Sequence, residues 1–409
     1  KYIDNNVVNY LDKDTYALFK KYGVIINDNV DENRIYEYYF QKTKYNSAVI
    51  SSTVLLTWAC NLKCIYCYEG AGAKTDFMDE KGANQYISFM KQMAYNNAAK
   101  HMQVLLFGGE PLLNIKIGFK ILNELLTFSN ESNIDFSCGV ITNGTLLSEQ
   151  IIKQLEMYNC NMIQITLDGT EKAHDFRRGY KTGKGSFRDI ITALQMLNDH
   201  ADRIRTVIRI NVDQNNIEEA YNLLKYIGKS GANLTKCNID FGIVRGSTEA
   251  CAAYTGNCFT DIEIAEVLNS LWNRAVDEGF RIYIRPSRKW MFCGLYSENQ
   301  YTVTPNCDVY KCWEHAGIEQ HRMGKIDKHG NFSDLQYAYY DWMSKNPLEN
   351  EECRECKYLP VCGGGCCVIS YNEEKTYHGK GCFKVKGILE KQVIKFAKEI
   401  KSKEHKNYN

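Results

Sequence analysis

Two periods alternate along most of this chain. From about residue 51, short runs rich in β-branched and other apolar residues recur at 52–58, 102–107, 134–142, 160–167, 205–212 and 235–243. Each predicts a strand. Between them, apolar residues fall at helical spacing near 79–96, 114–128, 148–158, 186–199, 216–229 and 261–278. Repeated strand–helix units with near-continuous apolar strands predict an α/β protein built on a parallel sheet, curled or open. In such sheets ligands sit at the carboxyl ends of the strands, so the residues just after each strand are where chemistry is expected. Residues 1–50 form a small leader segment. Within it, 14–23 predicts a short helix, capped by Asp14, with Lys20 and Lys21 at its C-terminal end and Gly23 as a left-handed stop. Val24, Ile25 and Ile26 predict a short strand. At the other end, 384–402 predicts a charged amphipathic helix, within a closing helix and tail over 384–409.

Composition narrows the class. The 409 residues suit two or three domains, and 44% hydrophobic with 24% charged residues is ordinary for a folded core. The net charge of +1 and the lack of a basic run argue against nucleic acid or a membrane surface as partner. No apolar run is long enough to span a bilayer, and no signal peptide is visible. The chain opens on Lys1 rather than Met, which suggests a missing upstream piece. The seventeen cysteines change the picture most. In a short secreted chain they would imply disulfides; here they group at metal-ligand spacings. Thiolates in a reducing, cytoplasmic and anaerobic setting are expected.

The first group is Cys60, Cys64 and Cys67, directly after the first predicted strand. Three thiolates at this spacing can wrap one corner of an iron–sulfur cube and leave one iron without a protein ligand. A structural zinc loop is the alternative. The second strand ends in Gly108-Gly109-Glu110-Pro111, where two glycines allow close backbone approach and a carboxylate follows. Later strands end in Thr142-Asn143-Gly144, Thr166-Leu167-Asp168-Gly169 and Asn211. Asn-Gly and Asp-Gly are also ordinary turn pairs. His174 reads as structural. Cys251 and Cys258 lie in a polar loop on the same rim, either facing substrate or incidental. From Trp290 onward come Cys293, Cys307, Cys312, Cys353, Cys356, Cys362, Cys366, Cys367 and Cys382. This region carries too little apolar sequence to fold without a metal centre. Cys138, Cys160 and Cys237 sit in apolar strand contexts and read as core.

The C-x3-C-x-aromatic-C stretch, with Tyr66 at the aromatic position, and the Gly-Gly-Glu-Pro strand end resemble radical S-adenosylmethionine (SAM) enzymes. The spacing Cys353-x2-Cys356-x5-Cys362-x3-Cys366, flanked by Cys293, Cys312 and Cys382, resembles the SPASM domain of that family. The resemblance implies a partial (β/α)6 TIM-like barrel over 51–285 and a SPASM domain with two auxiliary clusters over 286–383. It implies SAM and three [4Fe–4S] clusters as cofactors. Cys60, Cys64 and Cys67 would hold the SAM-cleaving cluster. Cys353, Cys356, Cys362 and Cys382 would hold the outer auxiliary cluster. Cys293, Cys312 and Cys366 would hold the inner one, with Cys307, which stands at the family's glycine position, as a fourth ligand or a mere turn residue. Cys367 could exchange roles with Cys366. Gly108, Gly109 and Glu110 would hold the SAM amino group. Asn143, Thr166 and Asn211 are candidates for its ribose, carboxylate or adenine, and Arg178 for its carboxylate unless it pairs with Asp175.

By the same resemblance, a 5′-deoxyadenosyl radical takes hydrogen from an unactivated carbon of a ribosomally made precursor peptide with a leader. A thioether or carbon–carbon cross-link is the expected product, and a flavodoxin or ferredoxin the expected electron donor. Formylglycine formation, as in anaerobic sulfatase maturation, is the alternative. That group carries Asp after the cysteine matching Cys312, where this chain has Trp313 and then Glu314. A non-catalytic iron–sulfur or zinc scaffold is the alternative of another class. The leader-binding domain common in such maturases would be cut off, supplied by another chain, or reduced to residues 1–50.

Overall fold

The computed structural model describes residues 10–21, 25–27, 29–200, 202–246, 248–282 and 286–407. Helices α1 (Lys13–Lys21) and α2 (Glu32–Lys44) come first. The parallel strands β1 (Val49–Thr57), β2 (His101–Gly108), β3 (Asp135–Thr142), β4 (Cys160–Thr166), β5 (Arg205–Val212) and β6 (Asn238–Ile243) then lie side by side in chain order. Their connections carry α3 (Glu80–Asn96), α4 (Ile115–Glu131), α5 (Glu149–Met157), α6 (Glu171–Arg178), α7 (Phe187–Asp199) and α8 (Ile217–Ile227). Helix α9 (Asp261–Asp277) follows β6. The helix starts are chemically marked. Asp79 accepts from Gly82 N, Ser148 from Ile151 N, and Thr260 forms a reciprocal capping box with Glu263. Val54, Leu55 and Leu56 of β1 are fully buried, as a central strand covered on both faces requires.

The sheet does not stop at β1. Strands β7 (Gln300–Val303), β8 (Asp308–Tyr310), β9 (Gly324–Ile326) and β10 (Phe332–Ser333) extend it in the order β10-β9-β8-β7-β1-β2-β3-β4-β5-β6. β7 runs parallel to β1, pairing Ser51 with Gln300 through Val54 with Val303; the remaining pairs are antiparallel. The cysteine-rich region is thus hydrogen-bonded into the barrel sheet. It also has an apolar core of its own, around Tyr36, Phe40, Tyr296, Trp342 and Tyr377. Most of that core comes from the region itself, and α2, far away in the chain, adds Tyr36 and Phe40. The region continues through α10 (Tyr337–Ser344), α11 (Glu351–Arg354), α12 (Leu359–Cys362) and α13 (Cys367–Glu374) to α14 (Ile388–Asn407). Among the described residues, no helix is long and apolar enough to cross a membrane.

The ends differ from expectation. α1 begins one residue early because Asp12, not Asp14, accepts from Thr15 N and Oγ1 at 2.8 and 2.7 Å. Gly23 and Val24 lie outside the described residues, and Ile25 and Ile26 are in no strand. The closing helix starts at Ile388, since Lys384 has φ +52° and cannot continue a right-handed turn.

Candidate active site

The strand ends converge on one cavity of about 490 Å3, within the range of small-molecule sites. Cys60, Cys64 and Cys67 line one side. Gly108, Gly109, Asn143, Thr166, Arg178 and Asn211 line the rest of its barrel face. Burial pushes the Cys60 thiol up to about 11 and that of Cys64 up to about 12, and raises that of Cys67. Three half-buried thiols with raised pKa become thiolates most readily beside a cationic centre. Among the described residues, no three Cys, His, Asp or Glu side chains close on a single-ion site. A cube does not require that, because each of its irons takes one thiolate.

Two further features fit an iron–sulfur cluster with a ligand beside it. The Arg178 side chain is buried, its Nη1 donates to the Tyr66 hydroxyl at 2.7 Å, and its Nε has no partner. It does not pair with Asp175, whose carboxylate accepts from Ser186 N and Phe187 N. A buried guanidinium beside three thiols matches an anionic group there. The glycines form a backbone cradle. A Cβ on Gly108 would meet Thr57 O at 2.3 Å, and one on Gly109 would meet Ala59 O at 2.4 Å, so β2 lies directly against the start of the cysteine loop.

Glu110 is held by the protein rather than presented to the cavity. It is fully buried and does not line the cavity. Its Oε1 accepts from Leu112 N at 2.9 Å and Thr142 Oγ1 at 2.7 Å, and its Oε2 from Asn143 N at 2.7 Å. The carboxylate braces the β3 turn, which aims Asn143 Nδ2 at Cys60 Sγ (3.8 Å) and at Asn61 Oδ1 (2.8 Å). Tyr66 is similarly fixed. Its hydroxyl donates to Asp168, and Asn211 Nδ2 donates to it at 3.1 Å. Asp168 also accepts from Asn211 N at 2.9 Å, so one buried carboxylate ties the cysteine loop to β5. His174 is structural. Its Nδ1 accepts from Asp168 N, its Nε2 meets Ser186 Oγ at 3.1 Å, and burial keeps it neutral.

The later cysteines sort into two groups. Cys353, Cys356, Cys362 and Cys382 all line one small cavity. Burial raises the thiols of Cys293 and Cys312, Glu314 adds to the rise at Cys312, and both also feel the charge of Cys366, which groups the three together. Cys307 is not with them. It sits at φ +63° in the β7–β8 turn, and its buried Sγ donates to Gly82 O of α3 at 3.5 Å. Of the two alternatives, fourth ligand or turn residue, this geometry fits the turn residue: the turn with φ > 0 directs the side chain into the barrel core. Cys367 is buried against Tyr296 in the second core. Cys251 Sγ donates to backbone carbonyls, and Cys138, Cys160 and Cys237 are core residues as read.

Arg245 joins the two parts. Its Nη2 lies 2.8 Å from Glu314 Oε1, its guanidinium stacks on Phe383 at 4.5 Å, and it acts electrostatically on Cys366 and Cys312. Arg245, Glu314, Trp313 and Phe383 also line the cavity, so the three-cysteine group stands behind one of its walls. Sequence reasoning missed Arg209 and Arg245 as cavity residues. Arg209 had a signal: it is two residues from Asn211 on β5 and therefore on the same face. Arg245 had one as well, standing just after the strand predicted at 235–243, although its pairing with the distant Glu314 is not local in sequence.

The Radical SAM superfamily profile matches residues 54–227. A cysteine-type anaerobic sulfatase-maturating enzyme of Clostridium novyi is 24% identical over 374 residues, spanning 85% of this chain and 96% of that protein. The structure of native anSMEcpe with bound AdoMet and Cp18Cys peptide superposes with a TM-score of 0.63 at 20% identity, covering 86% of this chain and 99% of that one. Streptococcus suis SuiB bound to precursor peptide SuiA gives a TM-score of 0.57 at 17% identity, covering 90% and 88%.

Proposed function

We propose, for a chain that belongs to the radical SAM superfamily and is an enzyme of its SPASM type, that the substrate is a ribosomally made peptide and the product a thioether or carbon–carbon cross-link within it. SAM and one [4Fe–4S] cluster follow from the family. Cys60, Cys64 and Cys67 would hold that cluster, with Arg178 beside it and the Gly108–Gly109 backbone against the bound SAM. Bound there, the cluster and SAM supply the radical that removes hydrogen from carbon. The chain's own work is to orient the peptide, exclude water and position the thiol that closes the bond.

The single observation that carries the cross-linking reading is the group Cys293, Cys312 and Cys366, with Cys307 turned away. Three thiolates on a cube leave one position, which a substrate cysteine can take beside the radical. Cys353, Cys356, Cys362 and Cys382 would hold a third cluster that relays electrons. The reading keeps the division at 51–285 and 286–383, a cytoplasmic setting, and a flavodoxin or ferredoxin as reductant. The relative from Clostridium novyi favours formylglycine formation as a second reading. Glu314 Oε2 is buried without a partner and could take a proton there.

The test is anaerobic reconstitution with iron and sulfide, then dithionite and SAM. Formation of 5′-deoxyadenosine supports the radical reading; its absence with about twelve irons bound, four per cube, sinks it. A cysteine-containing peptide encoded beside the gene should lose two hydrogens and one alkylatable thiol. An aldehyde trapped by hydrazide would favour formylglycine instead.

A further inference from the structure

The cavity walls carry four cations, Arg178, Arg209, Arg245 and Lys384, against two carboxylates, Glu69 and Glu314. Arg245 pairs with Glu314 at 2.8 Å, Glu69 accepts from the Tyr68 hydroxyl at 3.3 Å, and Arg178 bonds Tyr66 beside the thiols. That leaves Arg209 and Lys384, which meet at β6. The Arg209 guanidinium lies against the backbone of Gly242, where a Cβ would stand 2.3 Å from its Nε and 2.4 Å from its Nη2. Only glycine leaves that space, so β6 is shaped to hold the guanidinium in place. Nε donates to Asn211 Oδ1 at 3.1 Å and Nη1 to Asp240 Oδ2. Among the described residues, Nη2 has no hydrogen-bond acceptor. Lys384 reaches the residue before Gly242: its Nζ donates to Phe241 O at 2.8 Å, from a backbone held at φ +52°. An ammonium carries three donors, and that bond uses one. Asp240 is the carboxylate common to both, bonded to Arg209 and acting on Lys384 through its charge. Two cationic side chains thus share one carboxylate and keep N–H donors unused on a cavity wall. An anion is held more strongly there than in open water.

We propose that Arg209 and Lys384 form an anion subsite that seats a carboxylate of the substrate peptide, from an acidic side chain or from its C-terminus, and so select which peptide is modified. This rests on the reading that the substrate is a peptide. Arg209 supplies the planar donor edge and Lys384 a second point of charge.

The experiment uses the reconstituted full chain with SAM bound and no reductant, and reads peptide affinity by fluorescence anisotropy. The probes are dye-labelled Ala-Gly peptides with one Cys, blocked at both ends, in which a single Asp is moved through the flanking positions. A second set has Asn for Asp. A third has Asn and a free C-terminal carboxylate. The wild type should bind the Asp set or the free-acid set about tenfold more tightly than the blocked Asn set, and the set preferred identifies the source of the carboxylate. Arg209→Gln and Lys384→Gln should each weaken that preference, with SAM affinity and iron content unchanged. Should Lys384→Gln lose iron through its neighbour Cys382, Arg209→Gln, whose strand carries no cysteine, decides alone. The proposal fails if the wild type binds all three sets equally, if the preference survives Arg209→Gln, or if Arg209→Gln weakens SAM binding instead. If no set binds while the reduced protein still forms 5′-deoxyadenosine, the peptide reading itself fails and the subsite with it.

Discussion

The Glu110 brace gives a prediction that separates it from a ligand role. In Glu110→Gln, one carbonyl oxygen can still serve Leu112 N and Thr142 Oγ1, but the new amide nitrogen then faces the Asn143 N–H. One hydrogen bond to a buried charge is lost and one buried donor is stranded. The cost is about 2–4 kcal/mol. It falls on the β3 turn rather than on the whole chain, because such a site can open locally. At 1.4 kcal/mol per tenfold, amide exchange at Leu112 and Asn143 should quicken by about 30- to 700-fold. Hydrogen–deuterium exchange read by mass spectrometry, on anaerobic protein without SAM, measures this directly. If exchange there is unchanged while SAM binding weakens, the carboxylate serves the ligand and the brace argument is wrong.

Gly109→Ala places a methyl 2.4 Å from Ala59 O and 2.5 Å from Trp58 O, so it should displace the cysteine loop and cut iron at the first cluster, whereas Gly256→Ala, with nothing within 4 Å of its Cβ, should not. Iron assay of the two variants decides. Cys307→Ser should leave iron content and cluster spectra unchanged, because its thiol contacts α3; loss of about four irons would restore it as a ligand. His200 is raised above its ordinary value first by Glu156, with Glu149 adding. A raised histidine stabilises fully below its unfolded value of about 6.5, and that contribution disappears as pH rises through the folded value. Melting temperature should therefore fall across that window more in the wild type than in His200→Gln.

The barrel was legible because its strands are apolar runs and its helices have marked caps. All six predicted strand–helix units appear, with boundaries shifted by at most a few residues. The cysteine loop and the glycine cradle were legible for the same reason: their chemistry is local in sequence. What stayed hidden is non-local. Nothing near Gln300–Val303 announces that it pairs with β1. The partners of α2 lie some 250 residues away, as in Tyr36 donating to Trp290 O. The protein partners of Glu110, Thr142 and Asn143, sit at the end of another strand, and a carboxylate after two glycines looks the same whether it faces a ligand or a turn. Cys307 stayed between ligand and turn residue because spacing gives count but not direction.

The pairing of β7 with β1 has a consequence for how the protein is made. β1 is made well before β7, and its second edge has no partner until residue 300 follows. A long-range parallel pairing of this kind closes slowly. Meanwhile the nascent chain presents an open apolar edge, a template for association with other chains. Cys60, Cys64 and Cys67 emerge in this interval, attached to a strand whose surroundings are incomplete. The cysteine loop thus gains its finished surroundings only once β7 is made, and a chain truncated before β7 should aggregate through β1 rather than accumulate as a free-standing barrel.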